Sequence, residues 1–477
     1  MHSLQKGEGS GYRGQTSTPG ISRRPTALRD RSEERNFFAS PSVLQSAKSP
    51  HDEINLSRYF PRGTEYFYAY PSGQDSQFFS TVSPETEELI AARVLTCAGE
   101  HVTPVVFAPA VDPHVLHLLK DEMGMLYPYG ADASGLQLHV SHEVLDQEWN
   151  SLVKLALKKL THRGHFVMAQ PFLDPALSDR FQIPPELTVW LNDKKNLPQY
   201  VPKLYLPERY AQFSNGIAFA ASSDRLPLPC VVKVSSSTSG YGVRICRNAL
   251  QLERARKEYV SIVGTIVVEQ CINVVRNFGI QFGIPHALEK DVEIVGVSEQ
   301  LTTPEGEFIG GIIDPEHLLP EIDGINRLLL QYVLPKVRST GWYGIGGFDV
   351  LIDRRGRFFI GDPNFRMTGM TAYLCQARNG IIRKSMASFT AVFKGRETAF
   401  RENIVPLARE GDRRQLIHII ALTRHEDTFR MSAAMYFDQE EAGSIKRNAQ
   451  RLLRLGLQSK ALQKLGRNGR RRFPDFP

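Results

Sequence analysis

Two aspartates and an asparagine, Asp349, Asp362 and Asn364, are the residues whose types and spacing most suggest chemistry. They lie in the run GWYGIGGFDVLIDRRGRFFIGDPNFRMTGMT, residues 341–371, where polar residues fall at the ends of an apolar hairpin. The pattern predicts one strand around Phe348, Val350, Leu351 and Ile352, a charged turn from Asp353 to Gly356, and a returning strand from Phe358 to Ile360. Asp349 sits on the first strand, and Asp362 and Asn364 close the second. A chain folding back between the two acids brings their carboxylates side by side, with Asn364 on the same face because strand side chains alternate with period two. Two carboxylates and an amide oxygen form a hard donor set that suits Mg²⁺ (or Mn²⁺), which completes its shell with water and phosphate oxygens. Arg366 follows as a planar, permanently charged fork able to face the same phosphates. Asp353, Arg354, Arg355 and Gly356 are accounted for as a solvated turn. Asp349 is not, because an acid inside an apolar strand needs a partner or a metal.

A second group of residues has the character of an anion site. In CVVKVSSSTSGYGVRICRN, Lys233 lies inside a strand from Cys230 to Val234, and a loop from Ser235 to Gly242 precedes a strand from Val243 to Cys246. Hydroxyls and amides at Ser236, Ser237 and Ser239 can donate, and Gly240 and Gly242 permit close backbone approach to an anion. Such a loop alone is weak, since most join hairpins without binding anything. A strand lysine before it is stronger, because a buried ammonium needs an anionic partner. Asp193, Lys194 and Lys195 form a charged cluster in the proline-interrupted stretch 171–210, which reads as a linker entering a new domain.

These residues need elements to position them. From Thr64 to about Gln170, strands and helices alternate, beginning EYFYAY, then Ser83 as N-cap and Pro84 opening a helix. Repeated strand then helix predicts a parallel sheet. No glycine-rich phosphate loop follows any of these strands, so this domain is expected to bind substrate or support its neighbour. Its histidines, among them His101, His114, His117 and His165, fall on different elements and are read as surface or core residues. Residues 1–60, rich in Ser, Gly, Pro and Arg, read as a disordered tail. The expected domains are therefore 61–185, 186–272 and 273–395, followed by a C-terminal extension, 396–477, ending in a basic amphipathic helix that packs its leucines on the body.

The chain has 477 residues, 42% apolar and 23% charged, which fits a globular protein of two or three domains. Its formal charge is +7, but residues 444–477 hold ten Lys and Arg against Asp475 alone, so the remainder is slightly acidic. A nucleic-acid groove through the whole molecule is not supported. No apolar run approaches a membrane span. Five cysteines without a C-x-x-C pair read as reduced packing residues in a cytoplasmic setting.

Taken together, residues 186–390 resemble the ATP-grasp superfamily, whose members clamp ATP between two α+β subdomains and ligate a carboxylate to a nucleophile. The resemblance implies a mixed α/β and α+β chain: an ATP-grasp fold preceded by a parallel-sheet domain. It implies that Lys194 stands at the entrance of the nucleotide lid, that Lys233 touches the α-phosphate, and that Ser235–Gly242 covers the β- and γ-phosphates. Glu269, Gln270, Cys271 and Ile272 would form the hinge whose backbone meets adenine. Asp349, Asp362 and Asn364 would be the metal ligands, and Arg366 the arginine near the transferred phosphate. The turn Thr368–Thr371 is similar to the substrate-side turn of amino-acid and peptide ligases. Two departures stand out. Asp362 replaces a commoner glutamate, and the acid usual for the ribose is replaced by Asn273, Arg276 and Asn277, of which Arg276 could meet a substrate carboxylate or the γ-phosphate. The activity implied is ATP- and Mg-dependent joining of an amino acid or peptide carboxylate to an amine through an acyl phosphate, with ATP and Mg²⁺ as cofactors. A carboxylase, a glutathione-type ligase or an inactive ATP-binding regulatory module are the alternatives. Related ligases often form dimers, so a homodimer is the assembly the resemblance allows.

Overall fold

The computed structural model describes residues 53–69, 83–107, 110, 112–124, 137–138, 164–168, 178–237, 242–304, 306–315, 320–411, 413, 415–441 and 443–468. Residues 139–163 of the alternating stretch and the loop residues Ser239 and Gly240 lie outside the described residues, as do residues 1–52 of the expected tail.

Residues 53–60, expected as part of that tail, are instead built into the body. Asn55 caps a short turn, Leu56–Tyr59, by accepting from the Arg58 amide. Leu56, Tyr59 and Phe60 are buried in the main core, and the Tyr59 hydroxyl donates to Glu293 Oε1 at 3.1 Å. Three large apolar groups in five residues bury enough area to offset the cost of ordering so short a segment.

The next strands form the parallel sheet that the alternation predicts: β1 (Tyr66–Ala69), β2 (Val102–Phe107), β3 (Gln137–Leu138) and β4 (His165–Met168), in the order β3-β2-β1-β4. Pro84 at its first turn starts the helix Pro84–Ala92 between β1 and β2.

A second sheet is antiparallel: β5 (Arg209–Phe213), β6 (Cys230–Val234), β7 (Val243–Cys246) and β8 (Ile266–Gln270), ordered β5-β8-β6-β7. Alternation turns Cys230, Val232 and Val234 to one side, where they pack with Phe219 and Leu252 from two covering helices. Val231 and Lys233 point to the opposite face.

The third sheet carries the acids. It comprises β9 (Val274–Ile284), β10 (Glu293–Thr302), β11 (Phe308–Ile313), β12 (Gly344–Asp353), β13 (Phe358–Asn364), β14 (Met386–Lys394), β15 (Ile417–His425) and β16 (Thr428–Tyr436). Their order is β13-β12-β9-β10-β11-β14-β16-β15. This corrects the expected boundary at 396. Strand β16 pairs with β14 and β15 with β16, so residues 417–436 extend the same sheet. The basic C-terminal stretch is two helices, Ser444–Arg454 and Lys460–Asn468, broken at Gly456, whose φ is +96°. Their Ile445, Leu452, Leu462 and Leu465 are buried against the sheet.

Candidate active site

The carboxylates meet because β12 and β13 are adjacent and their register sets Asp349 directly opposite Asp362. Phe348, Val350 and Ile352 pack into the core, so the residues between them, Asp349 and Leu351, face the cleft. The register shifts between Asp349 and Val350, leaving Gly361 as the extra residue of a bulge. Its carbonyl accepts from Lys233 Nζ at 3.2 Å. Asn364, two residues beyond Asp362, shares its face.

Around the pair stand four cationic or amide groups. Lys194 Nζ lies 3.0 Å from Asp362 Oδ1 and donates to the Ser237 carbonyl at 2.7 Å. Gln300 Nε2 donates to Asp349 Oδ1 at 2.7 Å. Arg366 Nη1 donates to Asn192 Oδ1 at 3.1 Å, and the same oxygen accepts from the Phe365 amide at 2.9 Å. Lys233 Nζ bonds Glu269 Oε2 at 2.9 Å, and Arg209 Nη2 lies 3.4 Å from the other oxygen. Burial works to lower the Lys233 pKa, but the charge and hydrogen bond of Glu269 prevail and hold it above the usual lysine value.

Lys194, Lys233, Gln270, Cys271, Ile272, Asp349, Asp362, Asn364 and Arg366 all line one cleft of about 890 Å³. Val231, Val243, Ile245 and Leu351 give that cleft apolar walls. The remaining expected residues are placed differently. The Glu269 carboxylate is turned to Lys233 and Arg209. Ser237 is buried and its hydroxyl donates to the Val234 carbonyl at 2.9 Å. Gly242, at φ +68°, closes the strand end, its carbonyl accepting from the Val234 amide at 2.8 Å; the Ser236 hydroxyl lies beside Gly264.

Arg276 is a correction. It lies on β9 two residues from Phe278, with its guanidinium 4.8 Å from that ring and 3.6 Å from Glu299. Strand alternation sends Asn277, Gly279 and Gln281 to the cleft and Arg276 to the other face with core residue Phe278. It therefore cannot meet a phosphate or substrate there. Asn277, one position on, holds the cleft-facing place.

Residues missed by the sequence reading include Gln300 and Asn192. Asn192 ends the helix Pro185–Asn192 and holds Arg366 from 174 positions away. Neither carries a local signal, since amides at strand and helix ends are ordinary. Thr371, within the turn Thr368–Thr371, accepts from the Thr368 amide at 2.8 Å and donates to Gln281 Oε1 at 2.9 Å, which fixes the turn at the cleft wall.

The donor set fits a hard divalent ion. Among the described residues no cluster of three or more His, Cys, Asp or Glu is placed to hold a metal. Two carboxylates and an amide instead suit Mg²⁺, which keeps waters and takes phosphate oxygens. Asp362 Oδ1 is buried and, though close to Lys194, lacks an aligned hydrogen-bond donor. Burial first, and then the charge of Asp362, push Asp349 up to about 7, against the Gln300 hydrogen bond and the charges of Arg366 and Lys194. A cation between the acids removes that repulsion.

This has a measurable consequence. Without metal, folded Asp349 binds its proton more tightly than an unfolded carboxyl titrating near pH 4. Its contribution to stability is complete below that value and is lost as pH rises through about 7. Melting temperature in chelator should fall across this window, and Mg²⁺ or Mn²⁺ should flatten the decline. A slope that metal does not alter would remove Asp349 from the ligand set.

Residues 209–364 match the family described as L-aspartate–L-methionine ligase, ATP grasp. This matched segment carries the ATP-grasp fold. The matched segment runs from the start of β5 through the end of β13, and so contains both acids and Lys233. The match supports an ATP-dependent, ADP-forming ligase. Two solved structures at TM-score 0.50 agree on the fold. An N5-carboxyaminoimidazole synthetase from Staphylococcus aureus complexed with ADP is 12% identical, with 86% of this chain and 100% of that one covered at TM-score 0.50. An ADP complex of N5-carboxyaminoimidazole ribonucleotide synthetase is 11% identical, with 83% and 97% covered at 0.50. An L-amino acid ligase from Bacillus licheniformis is 13% identical, with 83% and 98% covered at 0.47. Among the described residues, no helix is long and apolar enough to cross a membrane.

Proposed function

We propose that this protein joins the carboxylate of an amino acid or small peptide to an amine, using ATP and Mg²⁺, through an acyl phosphate. The observation that carries the reading is Asp349 facing Asp362 in the cleft that Lys194, Lys233 and Arg366 also line. The family match supports amino acids as the substrate class.

A carboxylate is a poor electrophile, so its oxygen attacks the γ-phosphorus of ATP, the bond to the β-phosphate oxygen breaks, and ADP leaves. The amine then attacks the acyl carbon, loses a proton, and expels inorganic phosphate. Phosphoryl transfer of this kind needs positioning and charge neutralisation more than covalent catalysis. Asp349, Asp362 and Asn364 would hold Mg²⁺, which neutralises phosphate charge when bound. Lys233, anchored by Glu269 and the Gly361 carbonyl, presents a fixed ammonium to the nucleotide. Arg366, held by Asn192, offers a preorganised fork to the transferred group. Apolar Val231, Val243, Ile245 and Leu351 accept the base.

The test is ADP release and product mass with Mg-ATP and pairs of amino acids. Release should require both partners and be accompanied by a dipeptide mass. Nucleotide binding without amine-dependent turnover across all pairs would overturn the reading.

A further inference from the structure

Of the two lysines beside the acid pair, Lys194 takes an expected metal ligand as its own counter-ion. It is 2% exposed, and its ammonium lies 3.0 Å from Asp362 Oδ1. Lys233, by contrast, has a separate carboxylate in Glu269, 2.9 Å away. The Lys194 contact also joins two sheets. Its amide donates to the carbonyl of Ser235, the residue after β6, at 3.1 Å, and Asp193 caps the turn Lys194–Gln199 by accepting from the Lys195 amide at 3.2 Å. The backbone is thereby fixed beside the second sheet while the side chain crosses to Asp362 on β13.

The ammonium donates to the Ser237 carbonyl at 2.7 Å. With three protons, it can turn toward a second anion without leaving Ser237. Its hold on Asp362 is one of charge, because Oδ1 is buried and, among the described residues, receives no aligned hydrogen bond. The lone pairs of that oxygen stay open to a ligand that binds along them, while its charge is already balanced.

These contacts set up a competition. A divalent ion between Asp349 and Asp362 and an ammonium beside Asp362 repel one another at close range. An ion entering alone would leave Lys194 buried next to a cation and stripped of its carboxylate, a costly arrangement away from water. An ion entering with a polyphosphate brings oxygens that replace the anion Lys194 gives up, and Lys194 lines the same cleft as the acids.

We propose that Lys194 competes with divalent metal for Asp362, so that metal binds firmly only together with nucleotide phosphates that offer the displaced ammonium another anion. Lys194 is then the positioning residue that makes metal and nucleotide binding cooperative. This rests on the reading of Asp349, Asp362 and Asn364 as metal ligands.

The experiment titrates Mn²⁺ into wild type, Lys194→Gln and Lys194→Arg, with and without saturating ADP, following free Mn²⁺ by its electron paramagnetic resonance signal. Wild type should bind Mn²⁺ about 10–100-fold more tightly with ADP than without, the scale of one charge-assisted contact. Lys194→Gln keeps a donor for the Ser237 carbonyl but loses the charge. It should bind Mn²⁺ alone about 10–100-fold more tightly than wild type, and the enhancement by ADP should shrink by a similar factor. Lys194→Arg should stay close to wild type. Equal Mn²⁺ affinity of wild type and Lys194→Gln without ADP would overturn the proposal, as would equal gains in the Gln and Arg variants, which mark a packing effect. A wild-type affinity that ADP leaves unchanged overturns it without any variant. Asp349→Asn separates this from the metal reading: Mn²⁺ binding that survives it undiminished places the ion elsewhere and ends both, whereas binding lost on Asp349→Asn but unmoved by Lys194→Gln ends the competition alone. None of these measurements requires turnover, so failure of the ligase reading is scored separately.

Discussion

Replacing Asp349 with asparagine is expected to lower kcat by about 10³-fold, the scale seen when preorganised charge stabilisation is removed from a transferring group. The fold should survive. Asparagine has the same shape, and its side-chain oxygen can keep the hydrogen bond that Gln300 Nε2 now donates at 2.7 Å. In chelator the variant should melt no lower than wild type at pH 8, because it removes an acid that burial and Asp362 hold up to about 7. Loss of turnover with retained or improved melting would separate a ligand from a structural residue. Undiminished turnover would take Asp349 out of the reaction.

Lys233→Met should weaken nucleotide binding about 10–100-fold, as expected when a charge-assisted contact to phosphate is lost. The lysine is nearly buried, bonded to Glu269 at 2.9 Å and to the Gly361 carbonyl at 3.2 Å, so a stability loss must be told apart from a binding loss. Arg209 remains near Glu269, which limits the cost of the unpaired carboxylate. Adding Glu269→Gln should restore the melting temperature without restoring ATP affinity, measured by titration. Recovery of affinity in the double variant would mean that Lys233 serves Glu269 and not the nucleotide.

Much of this site was legible because strand geometry is local. Period-two alternation in 341–371 was enough to put Asp349, Asp362 and Asn364 on one face, and a lysine in an apolar strand marked Lys233. The same rule misled at Arg276, because alternation says which residues share a face and not which face meets the cleft. Phe278, two residues on, goes to the core and takes Arg276 with it. Residues 53–60 looked like tail because their composition continues that of the preceding stretch, yet Tyr59 and Phe60 find a core supplied by distant strands.

By itself the sequence determined the alternating parallel sheet, the acid-bearing hairpin, the strand lysine and the basic helical end, since each is written in the periodicity of a short segment. Tertiary structure decided which partners complete them. Gln300 reaches Asp349 across 49 positions, Asn192 reaches Arg366 across 174, and Ser432 reaches Arg93 across 339. It also decided that β15 and β16 extend the acid-bearing sheet. Such pairings depend on which strand edges and helix ends the whole chain brings together, and a local pattern of side chains carries no record of that.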